Sequence, residues 1–242
     1  MRCLRLAGIV PGVVVSLAFG DPAPSLRLLT EEYPPFNMTE AGKAGGLSTE
    51  IVRELMKRAG VKSTVEVMPW IRAFNLAVLE PRTCVYSTTR TDSRGPLFKW
   101  VGPLVENPWV LYARAGSAHA VTGLEGARPY KIGGYGGDAV SQFLVERGFE
   151  VDLTHTDVQN IRKLQAGRID FWATGKYLGA YLVAREKATG LSPVLTFNST
   201  FMYLACHRSL PDSQVRDLNG ILHAMQKDGT LARINAKYLD HR

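Results

Sequence analysis

Short apolar runs alternate with longer segments of helical periodicity along most of the chain. Eight runs of four to six residues predict strands, at residues 26–30, 64–68, 83–87, 109–113, 130–133, 169–173, 194–197 and 202–207. Seven segments predict helices, at residues 49–59, 71–80, 138–147, 157–166, 176–189, 211–228 and 230–239. This alternation predicts an α/β protein in which helices flank mainly parallel strands.

The length of the chain allows either one large domain or two small ones. A proline-rich stretch at 103–108 indicates a first crossing between two lobes, and residues 197–201 indicate the return. We therefore expect one lobe from residues 21–108 plus 201–242 and a second lobe from residues 109–200, with a ligand cleft between them.

The first twenty residues have the pattern of a secretory signal peptide. Arg2 and Arg5 precede an apolar run at residues 9–19, and Ala18-Phe19-Gly20 resembles a small-x-small cleavage site. The run is too short for a transmembrane helix, which needs roughly 20 apolar residues. The sequence thus predicts a periplasmic protein secreted through a cleavable signal peptide at residues 1–20.

Charge and cysteine content limit the partners of this protein. The formal charge of +7 falls to +5 without Arg2 and Arg5, and the basic residues form no stripe, which excludes a nucleic-acid partner. Cys84 and Cys206 remain after removal of the signal. In an oxidising compartment they either pair or lie buried separately, and the sequence leaves both alternatives open.

Motifs for bond-breaking chemistry are missing from the sequence. The five histidines have no metal-ligand spacing, and there is neither a Cys-x-x-Cys pair nor a Gly-x-Ser-x-Gly elbow. We therefore expect a binding protein with no catalytic residues, no metal and no cofactor.

Two aromatic residues follow neighbouring predicted strands. Tyr33 precedes a double proline that stiffens its loop, and Trp70 follows Pro69 at the end of the next strand. The alternative for Tyr33 is a place in the core. Because both rings reach the same edge of the sheet, we expect them to enclose a small ligand.

The loop after the third predicted strand is rich in hydroxyl and guanidinium groups. Ser87 and Thr89 lie on one face if the strand continues, and Arg94 ends the loop. Guanidinium groups bind carboxylates through paired, charge-assisted hydrogen bonds. We expect Arg94 to bind an anion and Arg90 to remain a surface residue.

A glycine-rich turn at residues 133–139 lies between a predicted strand and a predicted helix. With Asp152 it matches the spacing of a dinucleotide-binding fingerprint. Its position in the middle of an exported chain argues against that function. We expect the turn to present backbone N–H groups at a helix N-terminus, with Tyr135 and Asp138 on the wall of the cleft opposite Arg94.

Five segments in order resemble the periplasmic solute-binding proteins of the polar amino-acid type, bacterial family 3, which have the two-lobed type II fold. They are Tyr33-Pro34-Pro35-Phe36, residues 46–51, residues 89–103, residues 164–170 and Asp228-Gly229-Thr230. The resemblance covers nearly the whole chain after the predicted signal.

The resemblance assigns functions to individual residues. It makes Tyr33 and Trp70 the stacking pair, Ser87 and Thr89 hydrogen-bonding groups, and Arg94 the ligand for an α-carboxylate. Where the family has an aspartate for the ligand's ammonium, this chain has Thr174-Gly175-Lys176. Either Asp138 or Glu32 replaces that aspartate, or the ligand lacks an amine, so an organic acid or acidic amino-acid derivative is favoured.

The predicted function is capture of a small carboxylate-bearing ligand: an amino acid, a derivative or an organic acid. The ligand docks on the larger lobe, and closure brings Tyr135, Asp138 and Thr174 onto it. A monomeric protein would then deliver it to a membrane permease complex of the ABC type. The alternatives are a cyclohexadienyl dehydratase-like enzyme on the same scaffold and a ligand-sensing partner of a membrane receptor.

Overall fold

The structure is a computed structural model that describes residues 25–117, 119 and 121–239. The predicted signal peptide lies outside these residues. The strands are β1 (Leu26–Thr30), β2 (Met38–Glu40), β3 (Lys43–Gly45), β4 (Ser63–Val67), β5 (Thr83–Thr89), β6 (Lys99–Arg114), β7 (Ile132–Tyr135), β8 (Val151–Thr154), β9 (Phe171–Gly175) and β10 (Leu191–Cys206). The α-helices are α1 (Leu47–Arg58), α2 (Trp70–Leu79), α3 (Ala139–Glu146), α4 (Asp157–Gln165), α5 (Lys176–Arg185), α6 (Asp212–Lys227) and α7 (Thr230–Leu239).

Eight of these strands form one sheet in the order β4-β1-β5-β10-β6-β9-β7-β8. Parallel pairing holds within β4-β1-β5 and within β9-β7-β8. The pairs β5-β10, β10-β6 and β6-β9 at the centre are antiparallel. The sheet therefore has two parallel halves, joined by two long strands, as the α/β pattern of the sequence predicted.

The two long strands pair with each other along their whole length, from Lys99 opposite Cys206 to Arg114 opposite Leu191. The sequence pattern predicts a connection at residues 103–108 and two separate strands within β10. Prolines within an apolar run indicate a strand end. Here antiparallel pairing with β10 continues the strand through the prolines, so the chain passes between the halves as β-structure.

Each half of the sheet is covered by helices on both faces. Along β1, Leu28 packs into the cluster formed with α1 and α6, whereas Leu29 packs against α2 on the other face. In the other half, Ile132 and Phe171 pack against Leu144 of α3. The helices hold the strand ends in place where the candidate site lies. No helix of the described residues is long and apolar enough to span a membrane.

The alternatives for the two cysteines are resolved by the pairing of β5 with β10. Cys84 and Cys206 lie opposite each other in these adjacent strands, with Cα atoms 3.9 Å apart, and form a disulfide. Both residues are fully buried. The bond connects positions separated by 122 residues in the sequence, so it closes a long loop.

We expect replacement of both cysteines, as Cys84→Ala with Cys206→Ala, to lower the free energy of unfolding by about 3–5 kcal/mol, because the unfolded chain loses its cross-link. Urea denaturation would measure the change. Dithiothreitol should destabilise the wild type and leave the double variant unaffected. Equal midpoints for the wild type with and without dithiothreitol would show that this bond does not stabilise the protein.

Candidate functional site

A small cavity lies where the ends of β1 and β5 meet β6 and the start of α3. Its volume is about 30 Å³. Six of the eight residues predicted for the site line it: Tyr33, Trp70, Ser87, Thr89, Arg94 and Asp138. We call this space the inner cavity. The fold thus brings together residues that are up to about a hundred positions apart in the sequence.

Arg94 is buried at the inner cavity, with 4% of its surface exposed. Its Nη2 donates hydrogen bonds to the carbonyl oxygen of Gly137 (3.1 Å) and to Oε1 of Gln142 (2.9 Å). The guanidinium carbon lies 5.4 Å from the ring centre of Trp70 and 5.3 Å from that of Phe74. Burial lowers the pKa of Arg94, but an arginine remains charged at neutral pH.

The carbonyl oxygen of Gly137, in the glycine-rich turn, accepts hydrogen bonds from side chains of the other half of the sheet. Besides Arg94, Nε1 of Trp70 donates to the oxygen of Gly137, at 2.8 Å. A Cβ atom at Gly134 would come within 2.3 Å of the Ser141 Oγ, so this glycine permits close packing of α3. Asp152 forms an ion pair with Lys163 of α4 (2.8 Å). These contacts give the dinucleotide-like pattern a packing role.

Asp138 is the N-cap of α3, where its Oδ1 accepts a hydrogen bond from the backbone N–H of Ser141 (2.7 Å). The sequence predicts that this turn presents backbone N–H groups to the cleft. The cap uses one of them, and the turn contributes a carboxylate and a carbonyl oxygen to the cavity side. The charge of this wall is therefore negative.

Tyr33 and Ser87 each contact the side chain of an asparagine. Nδ2 of Asn107 donates to the Tyr33 hydroxyl at 3.3 Å, and the Tyr33 ring stacks on Phe36 with centres 5.9 Å apart. Ser87 has a φ of 60°, which is unfavourable for a residue other than glycine. Its hydroxyl donates to Oδ1 of Asn37. Both groups are held at the rim of the inner cavity.

Tyr135 and Thr174 lie outside the inner cavity. Tyr135 lines an adjoining outer chamber of about 560 Å³, together with Glu31. Thr174 is buried in β9, and its methyl group faces Gly179 of α5. The next residue faces the site instead, because a Cβ atom at Gly175 would lie 2.5 Å from the Tyr33 hydroxyl. Side chains alternate along a strand, so Thr174 points away.

Four carboxylates line the two spaces: Glu31, Glu32, Asp138 and Asp157. Burial, with the charges of Asp138 and Asp157, raises the pKa of Glu31 well above its ordinary value. Burial raises the pKa of Asp138 to about 6 and that of Asp157 to about 7. Asp157 accepts a hydrogen bond from Nε1 of Trp172 at 2.8 Å. The arrangement suits a ligand that carries positive charge as well as a carboxylate.

The sequence offers Asp138 or Glu32 as the partner of the ligand's ammonium. It gives no such role to Glu31 or Asp157, which line the outer chamber. Glu32 is exposed and accepts a hydrogen bond from the backbone N–H of Thr39 (3.1 Å). Glu31 directly follows β1, so its position at a strand end was a usable signal. Asp157 begins α4, where an acidic residue is common for structural reasons, so the sequence offered no comparable signal. Within the described residues, no cluster of His, Cys, Asp and Glu could hold a metal ion.

We expect the melting temperature to rise by several degrees when the pH is lowered from 7.5 to 5. The folded-state pKa values of Asp138 and Asp157, about 6 and 7, exceed the ordinary 3.8, so the folded state takes up protons in this window and the unfolded state does not. Differential scanning calorimetry would measure this. Asp157→Asn should reduce the pH dependence, and a melting temperature that rises with pH over this window would contradict the assignment.

Comparison with solved structures identifies the fold. A histidine kinase sensor domain with similarity to periplasmic binding proteins matches with a TM-score of 0.82 and 21% identity, over 89% of this chain and 96% of that chain. The arginine-, lysine- and histidine-binding protein ArtJ from Geobacillus stearothermophilus matches with a TM-score of 0.77 and 18% identity, over 90% and 96%. The fold is therefore the two-lobed, periplasmic-binding-protein-like fold.

A third structure connects this fold with an enzyme. The ancestral amino acid-binding protein AncCDT-1, a precursor of cyclohexadienyl dehydratase, matches with a TM-score of 0.75 and 19% identity, over 88% of this chain and 94% of that chain. No curated protein matches the sequence.

The sequence itself matches one family over almost its whole length. The model of the bacterial extracellular solute-binding proteins, family 3, aligns with residues 26–241. This match includes all the strands and helices described above and agrees with the resemblance seen in the five sequence segments. The protein is therefore a member of the family 3 bacterial extracellular solute-binding proteins.

Proposed function

We propose that this protein captures a small zwitterionic ligand, an amino acid or a derivative, outside the cytoplasm. The observation that carries the proposal is the buried Arg94 guanidinium beside the carboxylates of Glu31 and Asp138 around one cavity. The guanidinium suits the ligand's carboxylate, and the two acids suit its ammonium. The ligand lies between a lobe of residues 21–108 plus 201–242 and a lobe of residues 109–200.

Entry of the ligand requires the cleft to open. The inner cavity of about 30 Å³ has room for water but is too small for an amino acid. Opening separates Trp70 and Arg94 from Gly137 and removes Gln142 from the guanidinium. The ligand's carboxylate then takes the place of Gln142, and closure around the ligand is favoured because both lobes contact it.

The carboxylates that line the inner cavity change the class of ligand that we expect. The preference for an organic acid rested on the missing ammonium partner after β9. Glu31 supplies that partner from β1, and Asp138 supplies a second. The outer chamber adds an apolar surface from Val67 and Leu178 for the ligand's side chain. A zwitterion therefore fits the charges better than a simple organic acid does.

Delivery to a membrane permease complex is the leading role, with the protein acting as a periplasmic monomer and without turnover. Sensing for a membrane receptor is the second candidate, and the likeness to a histidine kinase sensor domain favours it. An enzymatic role is the third, because AncCDT-1 is a precursor of an enzyme.

Incubation with prephenate or arogenate should yield neither phenylpyruvate nor phenylalanine, and accumulation of either in proportion to protein would establish an enzyme.

A thermal-shift screen of α-amino acids, with their deaminated and decarboxylated analogues, tests the proposal. We expect an α-amino acid at about 100 times its Kd to raise the melting temperature by about 5–10 °C, because it binds only the folded state. Analogues that lack either charged group should have little effect. Stabilisation by dicarboxylates alone would restore the organic-acid hypothesis and contradict the zwitterion.

Replacement of Arg94 with alanine should weaken binding of the ligand found in that screen by about 2–5 kcal/mol, since the buried carboxylate would lose its charged partner. Isothermal titration calorimetry would measure the loss. Arg90→Ala is the matched control, because Arg90 is exposed beside Trp100. A folded Arg94→Ala protein that binds within a few-fold of wild type would refute this assignment.

A further inference from the structure

The inner cavity has three buried polar atoms that make no hydrogen bond to any described residue. They are Nε of Arg94, Oδ1 of Asn107 and Nε1 of Trp109. All three side chains are more than nine-tenths buried, with 4%, 2% and 1% of their surfaces exposed. Buried polar atoms are nearly always paired in proteins, because an unpaired one loses its bonds to water without compensation. Three such atoms on one cavity indicate a missing partner.

Asn107 and Trp109 come from the segment of β6 that passes between the halves of the sheet. The two residues are separated by one position, so their side chains lie on the same face of the strand. Asn107 pairs with Thr200 and Trp109 with Gly175, which places the pair between β10 and β9. Neither residue was a candidate in the sequence analysis.

The contacts of Asn107 direct its amide towards the cavity. Nδ2 donates to the Tyr33 hydroxyl at 3.3 Å, and Oδ1 remains free. A Cβ atom at Gly175 would lie 2.7 Å from this Oδ1, so glycine leaves the space beside it open. The free amide atom can accept an N–H from a ligand.

The contacts of Trp109 fix its ring and leave its N–H available. The ring packs against Phe143, with centres 5.3 Å apart, and against Phe197 at 6.3 Å. Apolar packing holds the indole without using its donor. With Arg94 Nε, the cavity therefore has two free N–H donors and one free acceptor.

We propose that Asn107 and Trp109 bind the head group of the ligand, with Trp109 donating to its carboxylate beside Arg94 and Asn107 accepting from its ammonium. This inference rests on the proposed function and names the residues that select an α-amino acid head group. Two donors and an acceptor match a carboxylate next to an N–H group, whereas a plain carboxylate leaves Asn107 unpaired. The ligand's side chain extends into the outer chamber, which shares Glu31 and Tyr33 with the inner cavity.

Four variants test the proposal: Trp109→Phe, Asn107→Leu, Asn107→Asp and the control Trp100→Phe. The phenylalanine at 109 keeps an aromatic ring and removes the N–H, and aspartate at 107 keeps the acceptor. Trp100 donates to the Gly95 carbonyl and does not line the cavity. Glycine, L-alanine, L-glutamine and L-arginine are the probes, measured by calorimetry and by the indole ¹H–¹⁵N signal of Trp109.

We expect at least one probe to shift the Trp109 signal, and Trp109→Phe and Asn107→Leu to weaken its binding at least tenfold. Asn107→Asp should restore binding relative to Asn107→Leu, and Trp100→Phe should match wild type. Circular dichroism would confirm that each variant is folded. A merely structural role would give no rescue by aspartate.

Two other outcomes separate this inference from the proposed function. A probe that binds wild type and all four variants within twofold would overturn the inference alone, with a buried water as the partner of the free atoms. Binding of none of the four probes, together with an unchanged Trp109 signal, would overturn both the amino-acid ligand and its head-group contacts.

Discussion

The antiparallel pairing of β6 with β10 is the constraint on which the rest of the structure depends. It joins two parallel half-sheets at their centre, so the strand ends of both halves open onto the same region. Asn107 and Trp109 lie on the crossing segment of this pair, and Arg94 lies in the connection that leads into β6. The disulfide of Cys84 with Cys206 fastens β10 to β5 beside it. The candidate site is thus built around the crossing strands.

Burial of charge is the second determinant of the site. Arg94 is withdrawn from water and compensated by a carbonyl, an amide and two aromatic faces, while the carboxylates of Glu31 and Asp138 lie on the same cavity. Charges buried in this way are costly unless paired. A zwitterionic ligand would supply opposite charges to both kinds of group, which connects the electrostatics of the cleft with the proposed function.

Only part of the candidate site can be predicted from the sequence. Tyr33, Trp70 and Arg94 each follow a predicted strand, and all three line the inner cavity, because strand ends define one edge of a parallel sheet. Thr174 lies outside the inner cavity, because side chains alternate along β9 and the neighbouring Gly175 is the residue that faces the site. Asn107 and Trp109, which line the inner cavity, were not site candidates in the sequence, because the prolines around them indicated a connection and not a strand.

The sequence by itself determined the α/β class, most of the helices and strands, the family and the loops that line the candidate site. These features depend on local periodicity and on motifs that lie within a few residues of one another. Tertiary structure alone decided the pairing of Cys84 with Cys206, the convergence of Glu31 with Asp157, and the free polar atoms of the inner cavity. These features depend on strand register and on contacts between segments far apart in the chain, which no local pattern of residues encodes.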